Sequence, residues 1–448
     1  MRIYLEIETK RRELDARILF SVLAASKGFS IVIGRKNKLL SRINFFSPGI
    51  YIMKGSRYRP AKLAKNFRKN NFFIFCYDEE GLINISDEYT FHRIPQETLE
   101  AVDKFLTWGE SETSLLKKNY PEYSEKILTS GNARLDLLKS PIKQIYFDEA
   151  KKINEKYGKF DLYVSGFNRA NAITKPGLNW LEGSKFDSEN IKKTFTRFFH
   201  LQKNNMEKTI EFLNLNSDKI KKKIIIRPHP AENISTWKNE LKDNLKDNVI
   251  YDHLNTNAWM LAADNVFSFY SGALIEAYLL GKSPANLIFE EGNPFKDDFI
   301  YNFCKDIVKP KDYDDLILQS NKIREQSKNK DDLSFHIKNT KFFTADIICD
   351  EALKFLNNSN YKKIHDKFSN RFFFNFFVYL DRIKNFKYNY LSKKSDQDRQ
   401  SRMMFQKNPG ITIQEVNFTL KSISELLGIK NLVCKEIYPG AFEIKKNF

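Results

Sequence analysis

Four short clusters carry side chains suited to group-transfer chemistry, and each stands at the end or the start of an apolar run. Asp78, Glu79, Glu80 and Gly81 follow NFFIFCY. A carboxylate at the carboxyl end of a buried strand stands on the functional rim of an α/β sheet. There Glu80 or Glu79 can take a proton from an attacking hydroxyl, while Gly81 permits a sharp turn. The plainer reading of the four residues is a solvated acidic turn. Arg227-Pro228-His229-Pro230 follows KKKIII, and the two prolines stiffen the backbone around His229. The imidazole is thereby held at a strand end, able to bind a phosphate oxygen or steady a leaving group's charge, with Arg227 as a second cation. A turn-capping histidine is the alternative. Ser271-Gly272 opens the apolar run ALIEAYLL, so a helix start there offers amides and a hydroxyl to a phosphate. Glu276, about one turn further on, is placed to accept from a ribose hydroxyl, though a simple N-cap at Ser271 explains the same pattern. Ser165, Gly166, Phe167 and Asn168 end the run FDLYV like the first loop of a nucleotide-binding unit. They lack the full GxGxxG spacing and read equally as a turn.

The elements that must position these clusters follow from hydrophobic periodicity. Residues 2–8 alternate as a strand, ELDARILFSVLAASKG reads as a helix closed by Gly28, and FSIVIG returns to strand. SPGIYIMKG and NNFFIFCYDEEG continue as strands of a buried parallel sheet, followed by helix and strand units in ETLEAVDKFLTWG and KILTSGNARLDLL. Residues 1–145 therefore make an α/β lobe expected to hold an acceptor. A Lys-rich helix precedes FDLYVSGFN, and KKKIIIRPHPAEN, NVIYDH, AADNVFSFYSGALIEAYLLGK and SPANLIF repeat the strand, loop and helix rhythm. Residues 146–360 are the expected nucleotide-sugar lobe. Residues 361–448 are expected to form a basic aromatic segment and a small appendage, with ITIQEVNFTLKSISELLG as strand and helix. The fold class is α/β, with two Rossmann-type doubly wound lobes facing a cleft.

Composition narrows the partners. Lys and Arg number 74 against 56 Asp and Glu, a net charge of +18 that favours nucleic acid, anionic lipid or an anionic substrate. The chain has no recognition-helix, RNA-binding or zinc signature, which argues against nucleic acid. Cys76, Cys304, Cys349 and Cys434 are widely separated and read as reduced core residues. The charged start MRIYLEIETKRREL is unlike a signal peptide, and no run is long and apolar enough to span a bilayer. A cytoplasmic protein is expected. Residues 366–394 set Phe372, Phe373, Phe374, Phe376, Phe377 and Tyr379 beside Lys367, Arg371, Arg382, Lys384 and Lys387. That segment suits either the anionic inner surface of the membrane or packing across the lobes.

Glu79-Glu80-Gly81, His229-Pro230 and Ser271-Gly272 resemble, in type and order, the three motifs of bacterial sialyltransferases and Kdo transferases of the GT-B fold. KRRELDARIL, YDEEG, TWG, SGNARLDLL, RPHPAEN and SGALIEAYLLGK resemble the surface carbohydrate biosynthesis protein family over residues 1 to about 350. The resemblance implies a glycosyltransferase moving a nonulosonic acid or Kdo-like sugar from a CMP-activated donor to a bacterial capsule, lipopolysaccharide or glycoprotein. It implies an acidic base, His and Ser motifs on the donor phosphate, and neither metal nor cofactor. Ser-Gly here replaces the family's paired hydroxyls. The alternatives are a CDP-polyol phosphotransferase of teichoic-acid type, whose family shares Arg-Pro-His-Pro and a GNxRxD-like segment, a UDP-sugar epimerase, and a non-catalytic polysaccharide assembly protein.

Overall fold

The computed structural model describes all residues except 56, 83–85, 175–187, 221, 253, 296–298, 327–332, 341, 359–375, 381–382, 384–402, 405 and 448. Six parallel strands build the first sheet: β1 (Arg2–Ile7), β2 (Ser30–Arg35), β3 (Ile50–Lys54), β4 (Phe73–Tyr77), β5 (Lys104–Thr107) and β6 (Ile127–Thr129). Their order is β2-β1-β3-β4-β5-β6. Successive side chains of a strand point to opposite faces, and both faces here are apolar. Ile3, Leu5, Ile31, Ile33, Ile50, Ile52 and Phe75 join the main core on one face. Tyr4, Val32, Tyr51, Met53, Ile74, Cys76 and Phe105 form a second core on the other. Each such fully buried Ile, Val or Phe contributes about 1.5–3 kcal/mol relative to exposure.

The second sheet is built from β7 (Phe160–Val164), β8 (Lys223–Arg227), β9 (Val266–Ser268), β10 (Ala285–Ile288) and β11 (Asp306–Val308). All are parallel, in the order β11-β10-β9-β7-β8. Both lobes are thus doubly wound, the first with its own strands in the order 2-1-3-4-5-6 and the second in the order 2-1-3-4-5, and each reverses direction beside its first strand. The result is the expected GT-B-like pair of lobes facing a cleft. Of NVIYDH only Val249 pairs, as an isolated bridge to Ile226, so that stretch is not a strand.

The C-terminal quarter departs from the expected boundaries. The helix Thr344–Asn358, assigned to the second lobe, returns to the first: Phe355 packs edge-on to Phe73 at 4.7 Å, and Glu351 pairs with Lys104 at 2.6 Å. Nor do residues 411–446 form a separate appendage. ITIQEV is the start of a helix, Ile413–Leu426, opened by a capping box between Thr412 and Glu415. The Thr-x-x-Glu signal outweighs the β-branched alternation that suggested a strand. It is followed by β12 (Leu432–Tyr438) and β13 (Ala441–Lys446), and β13 pairs antiparallel with β2, extending the first sheet to eight strands. The physical reason is the open hydrogen-bonding edge of β2, which β13 satisfies. Within the basic aromatic segment, Phe377 is buried against Phe45 at 5.1 Å and Tyr438 at 5.6 Å, under the Arg42 guanidinium at 5.0 Å. Phe376 and Tyr379 are exposed. Lys367, Arg371, Phe372, Phe373, Phe374, Arg382, Lys384 and Lys387 lie outside the described residues. Among the described residues no helix is long and apolar enough to cross a membrane.

Candidate active site

The carboxyl ends of both sheets converge on a cavity of about 260 Å³ between the lobes. From the first lobe come Arg11 and Arg12 after β1, Glu79 and Glu80 after β4, Trp108 after β5 and Arg134 after β6. The second lobe contributes Ser165, Gly166, Asn168 and Arg169 after β7, His229 and Pro230 after β8, and Tyr270, Ser271, Gly272 and Glu276 after β9. Loops at the reversal point of a doubly wound sheet are where such folds bind ligands. A larger cavity, about 1290 Å³, opens between the first helix, residues 144–157 and the C-terminal helix, but none of the expected site residues lines it.

The acidic cluster divides its labour residue by residue. Asp78 is buried, pairs with Arg93 at 2.9 Å and accepts the Glu80 amide at 3.0 Å; Arg93 also donates to the Glu80 carbonyl. This clamp fixes the backbone under Glu80, whose side chain stands exposed at the rim. Glu79 turns inward onto Arg17 at 3.2 Å. Burial raises its pKa, but Lys54, Arg17, Arg134 and Arg12 outweigh burial and hold the carboxylate below its ordinary range. Glu79 is therefore a fixed anion and a weak base. A Cβ on Gly81 would lie 2.3 Å from the Trp108 ring and 2.6 Å from Glu112, so close packing requires this glycine.

In the second lobe a single buried carboxylate organises two loops. Glu232 accepts from the Ser165 hydroxyl at 2.8 Å, the Phe167 amide at 3.1 Å, Trp237 Nε1 at 2.9 Å and the His229 amide at 3.3 Å. Burial pushes its pKa up, opposed by these donors. His229 Nδ1 accepts the Ala231 amide at 3.1 Å, which places the neutral ring's proton on Nε2. Burial, then the positive Arg12, Arg11 and Lys407, drive the His229 pKa well below its ordinary value. The ring is thus a neutral hydrogen-bond donor at the cavity wall. A Cβ on Gly166 would meet the Phe269 carbonyl at 2.6 Å, so the loops after β7 and β9 touch backbone to backbone. Ser271 caps the helix Gly272–Leu279, its hydroxyl accepting the Ala273 amide at 3.3 Å.

Every expected site residue but one lines this cavity. The exception is Arg227. Its guanidinium is buried, bound to Asp252 at 2.8 Å and stacked 4.7 Å over Trp259, so it braces the β8 loop instead of lining the cavity. Ser165 reaches the cavity wall with its hydroxyl committed to Glu232. Glu276 is ion-paired across the cleft with Arg134 and joins the lobes, which limits it as a ribose acceptor. The residues that sequence reasoning missed are Arg11, Arg12, Arg134 and Glu232. Arg11 and Arg12 stand in KRRELDARIL, directly after the first strand, and Glu232 stands two positions past the Pro-His-Pro turn. Those spacings were the available signals.

No family model and no curated protein matches the chain. Among solved structures it is similar to the wall teichoic acid polymerase TagF, with 12% identity and a TM-score of 0.49 over 81% of this chain and 90% of that one. It is also similar to UDP-GlcNAc 2-epimerase from Methanocaldococcus jannaschii, with 14% identity and a TM-score of 0.48 over 79% of this chain and 100% of that one. The Neisseria meningitidis UDP-GlcNAc 2-epimerase bound to UDP-GlcNAc gives the same identity, score and coverage.

Proposed function

We propose that the chain is a surface-glycan glycosyltransferase that moves a nonulosonic acid or Kdo-like sugar from a CMP-activated donor to a growing glycan. The observation that carries this reading is the convergence on one cleft of a carboxylate rim from one lobe and of a neutral histidine, small residues and a helix start from the other. In the proposed mechanism the donor phosphate lies against the second lobe. His229 Nε2–H donates to it, and the amides of Gly166 and of the Ser271-Gly272 turn add further donors. As the bond between sugar and phosphate breaks, negative charge grows on the leaving phosphate, and these donors are already in place to receive it. Glu80 takes the proton of the acceptor hydroxyl; Glu79, held ionised by its cations, is the poorer base. No step in this scheme uses a metal.

The test is a thermal-unfolding panel. Cytidine monophosphate is expected to raise the unfolding temperature, with about 2.7 kcal/mol of stabilisation at a hundredfold excess over Kd. Transfer from CMP-linked sialic, legionaminic, pseudaminic or Kdo sugars should persist with a chelator present. Protection only by a cytidine-diphosphate polyol would move the assignment to polyol-phosphate transfer. Protection only by UDP-N-acetylglucosamine would move it to epimerisation.

A further inference from the structure

The first-lobe wall of the cleft carries a group of guanidinium ions that the proposed mechanism does not use. Arg12 lines the cavity half-buried, and its guanidinium has no hydrogen bond or ion pair among the described residues. Its neighbour Arg11 is 8% exposed; Nη2 donates to the Pro228 carbonyl at 2.9 Å, while Nε and Nη1 are buried without a hydrogen-bond partner. Arg134 lines the same cavity, anchored to Glu276 and stacked 5.8 Å from the Trp108 ring.

Like charges so placed destabilise Arg12 and Arg11, whereas Glu276 and Glu79 keep Arg134 charged against the cost of burial. Arg134 is the leading cause that lowers the Arg12 pKa, ahead of burial, and burial followed by Arg227 lowers that of Arg11 to about 9. Buried N–H groups left without acceptors cost about 1–3 kcal/mol each. Both penalties vanish when an oxyanion sits between the guanidinium groups, because a carboxylate or phosphate accepts several charge-assisted hydrogen bonds at once.

We infer that Arg12, with Arg11 and Arg134, forms a second oxyanion seat on the first lobe, facing the donor-phosphate groups of His229, Ser271 and Gly272 across the same cavity and built from different residues. Its purpose rests on the transferase reading, whereas its existence does not. The group seated is a carboxylate if it belongs to the transferred acidic sugar, or a phosphate if it belongs to the acceptor.

Thermal unfolding with inorganic phosphate and with free N-acetylneuraminate, neither of which carries a nucleotide, tests the seat directly. Wild type and His229→Ala should both be stabilised by at least one of the two anions. Arg12→Gln should lose at least about tenfold in affinity for it, and Arg12→Lys should recover part of that loss. In His229→Ala, where the donor-phosphate site is weakened, an Arg12-dependent preference for phosphate assigns the seat to the acceptor, and one for N-acetylneuraminate assigns it to the donor sugar. Unaltered anion binding in folded Arg12→Gln, or no stabilisation of wild type by either anion, would overturn the seat. So would loss of the response in His229→Ala as well, because the anion would then occupy one shared phosphate site. Failure of cytidine monophosphate to bind would leave these results intact and count only against the donor assignment.

Discussion

The two walls of the cleft are built on opposite electrostatic plans. On the first lobe, a lattice of full charges stands behind the rim. Glu6 holds Arg59 at 2.6 Å, Glu13 holds Lys54 at 2.9 Å, Glu79 holds Arg17 at 3.2 Å and Asp78 holds Arg93 at 2.9 Å. On the second lobe, small residues and backbone amides gather around one buried carboxylate, Glu232, with a histidine kept neutral. A charged lattice distributes its work, so that each member has several partners. A hub concentrates it. The first wall suits fixed ions and proton transfer, while the second suits neutral donors aimed at a charge that grows during reaction.

The largest effect that tests this contrast should come from the hub. Glu232→Ala strands the Ser165 hydroxyl, the Trp237 ring N–H and the Phe167 and His229 amides in the interior. At about 1–3 kcal/mol for each unsatisfied group, partly relieved by entering water, the loss should be about 3–5 kcal/mol in urea unfolding. Glu79→Ala should cost clearly less, because Arg17 keeps the Glu6 carbonyl at 3.3 Å and the Tyr77 ring at 5.5 Å. Equal losses would mean that the first wall also depends on single residues.

Next in size is the separation of the two glutamates. Glu80→Gln is expected to lower turnover about 10²-fold or more with little change in donor affinity, as removal of a general base does. Glu79→Gln should retain most turnover, its part being to balance the charges of Arg17 and Lys54. The reverse ranking in steady-state kinetics would transfer the proton-accepting role to Glu79, and full activity in both would remove the acidic motif from the chemistry.

These contrasts also mark what the sequence could disclose. The strand ends were legible because β4, β7 and β8 are short apolar runs broken by polar residues, and that places Glu80, Ser165 and His229 on the rim without further information. Orientation was not legible. Arg227 ends a strand as Tyr77 does, yet it turns onto Trp259 and Asp252, partners 32 and 25 positions away. A strand apolar on both faces gives no alternation from which to choose a side. Glu232 was hidden for a related reason. A carboxylate beside a Pro-His-Pro turn reads as solvated until the loop after β7 is known to fold over it. The return of residues 411–446 to the first sheet was equally hidden, since the pairing of β13 with β2 joins segments about 400 residues apart in sequence.

The smallest effect is the sharpest comparison, because the two walls should fail in different acid windows. His229 has a folded pKa well below its ordinary 6.5, through burial and the charges of Arg12, Arg11 and Lys407. The unfolded chain therefore takes up a proton that the folded chain refuses, so this stability is present above pH 6.5 and is lost as pH falls below it. The slope is at most about 1.4 kcal/mol per pH unit. Glu8, in the charged lattice of the first lobe, is held at about 2 although burial alone would raise it, because Lys54, Lys36 and Lys407 surround it. Its contribution is intact above the unfolded value of 4.5 and disappears between 4.5 and about 2, with solvent screening reducing its size. Glu232 acts with the opposite sign. Its raised pKa gives a contribution present below 4.5 and lost as pH rises through the folded value, which offsets part of the histidine loss on acidification. Urea midpoints between pH 8 and 3 should therefore fall first below 6.5 and again below 4.5. His229→Asn should abolish the first decline and spare the second, and Glu8→Gln should spare the first and shrink the second, of which Glu79, also held below its ordinary range, keeps a share. An undiminished first decline in His229→Asn would mean that the histidine is charged in the folded cleft, and with it would go the neutral Nε2–H donor on which the second wall's part in the mechanism depends.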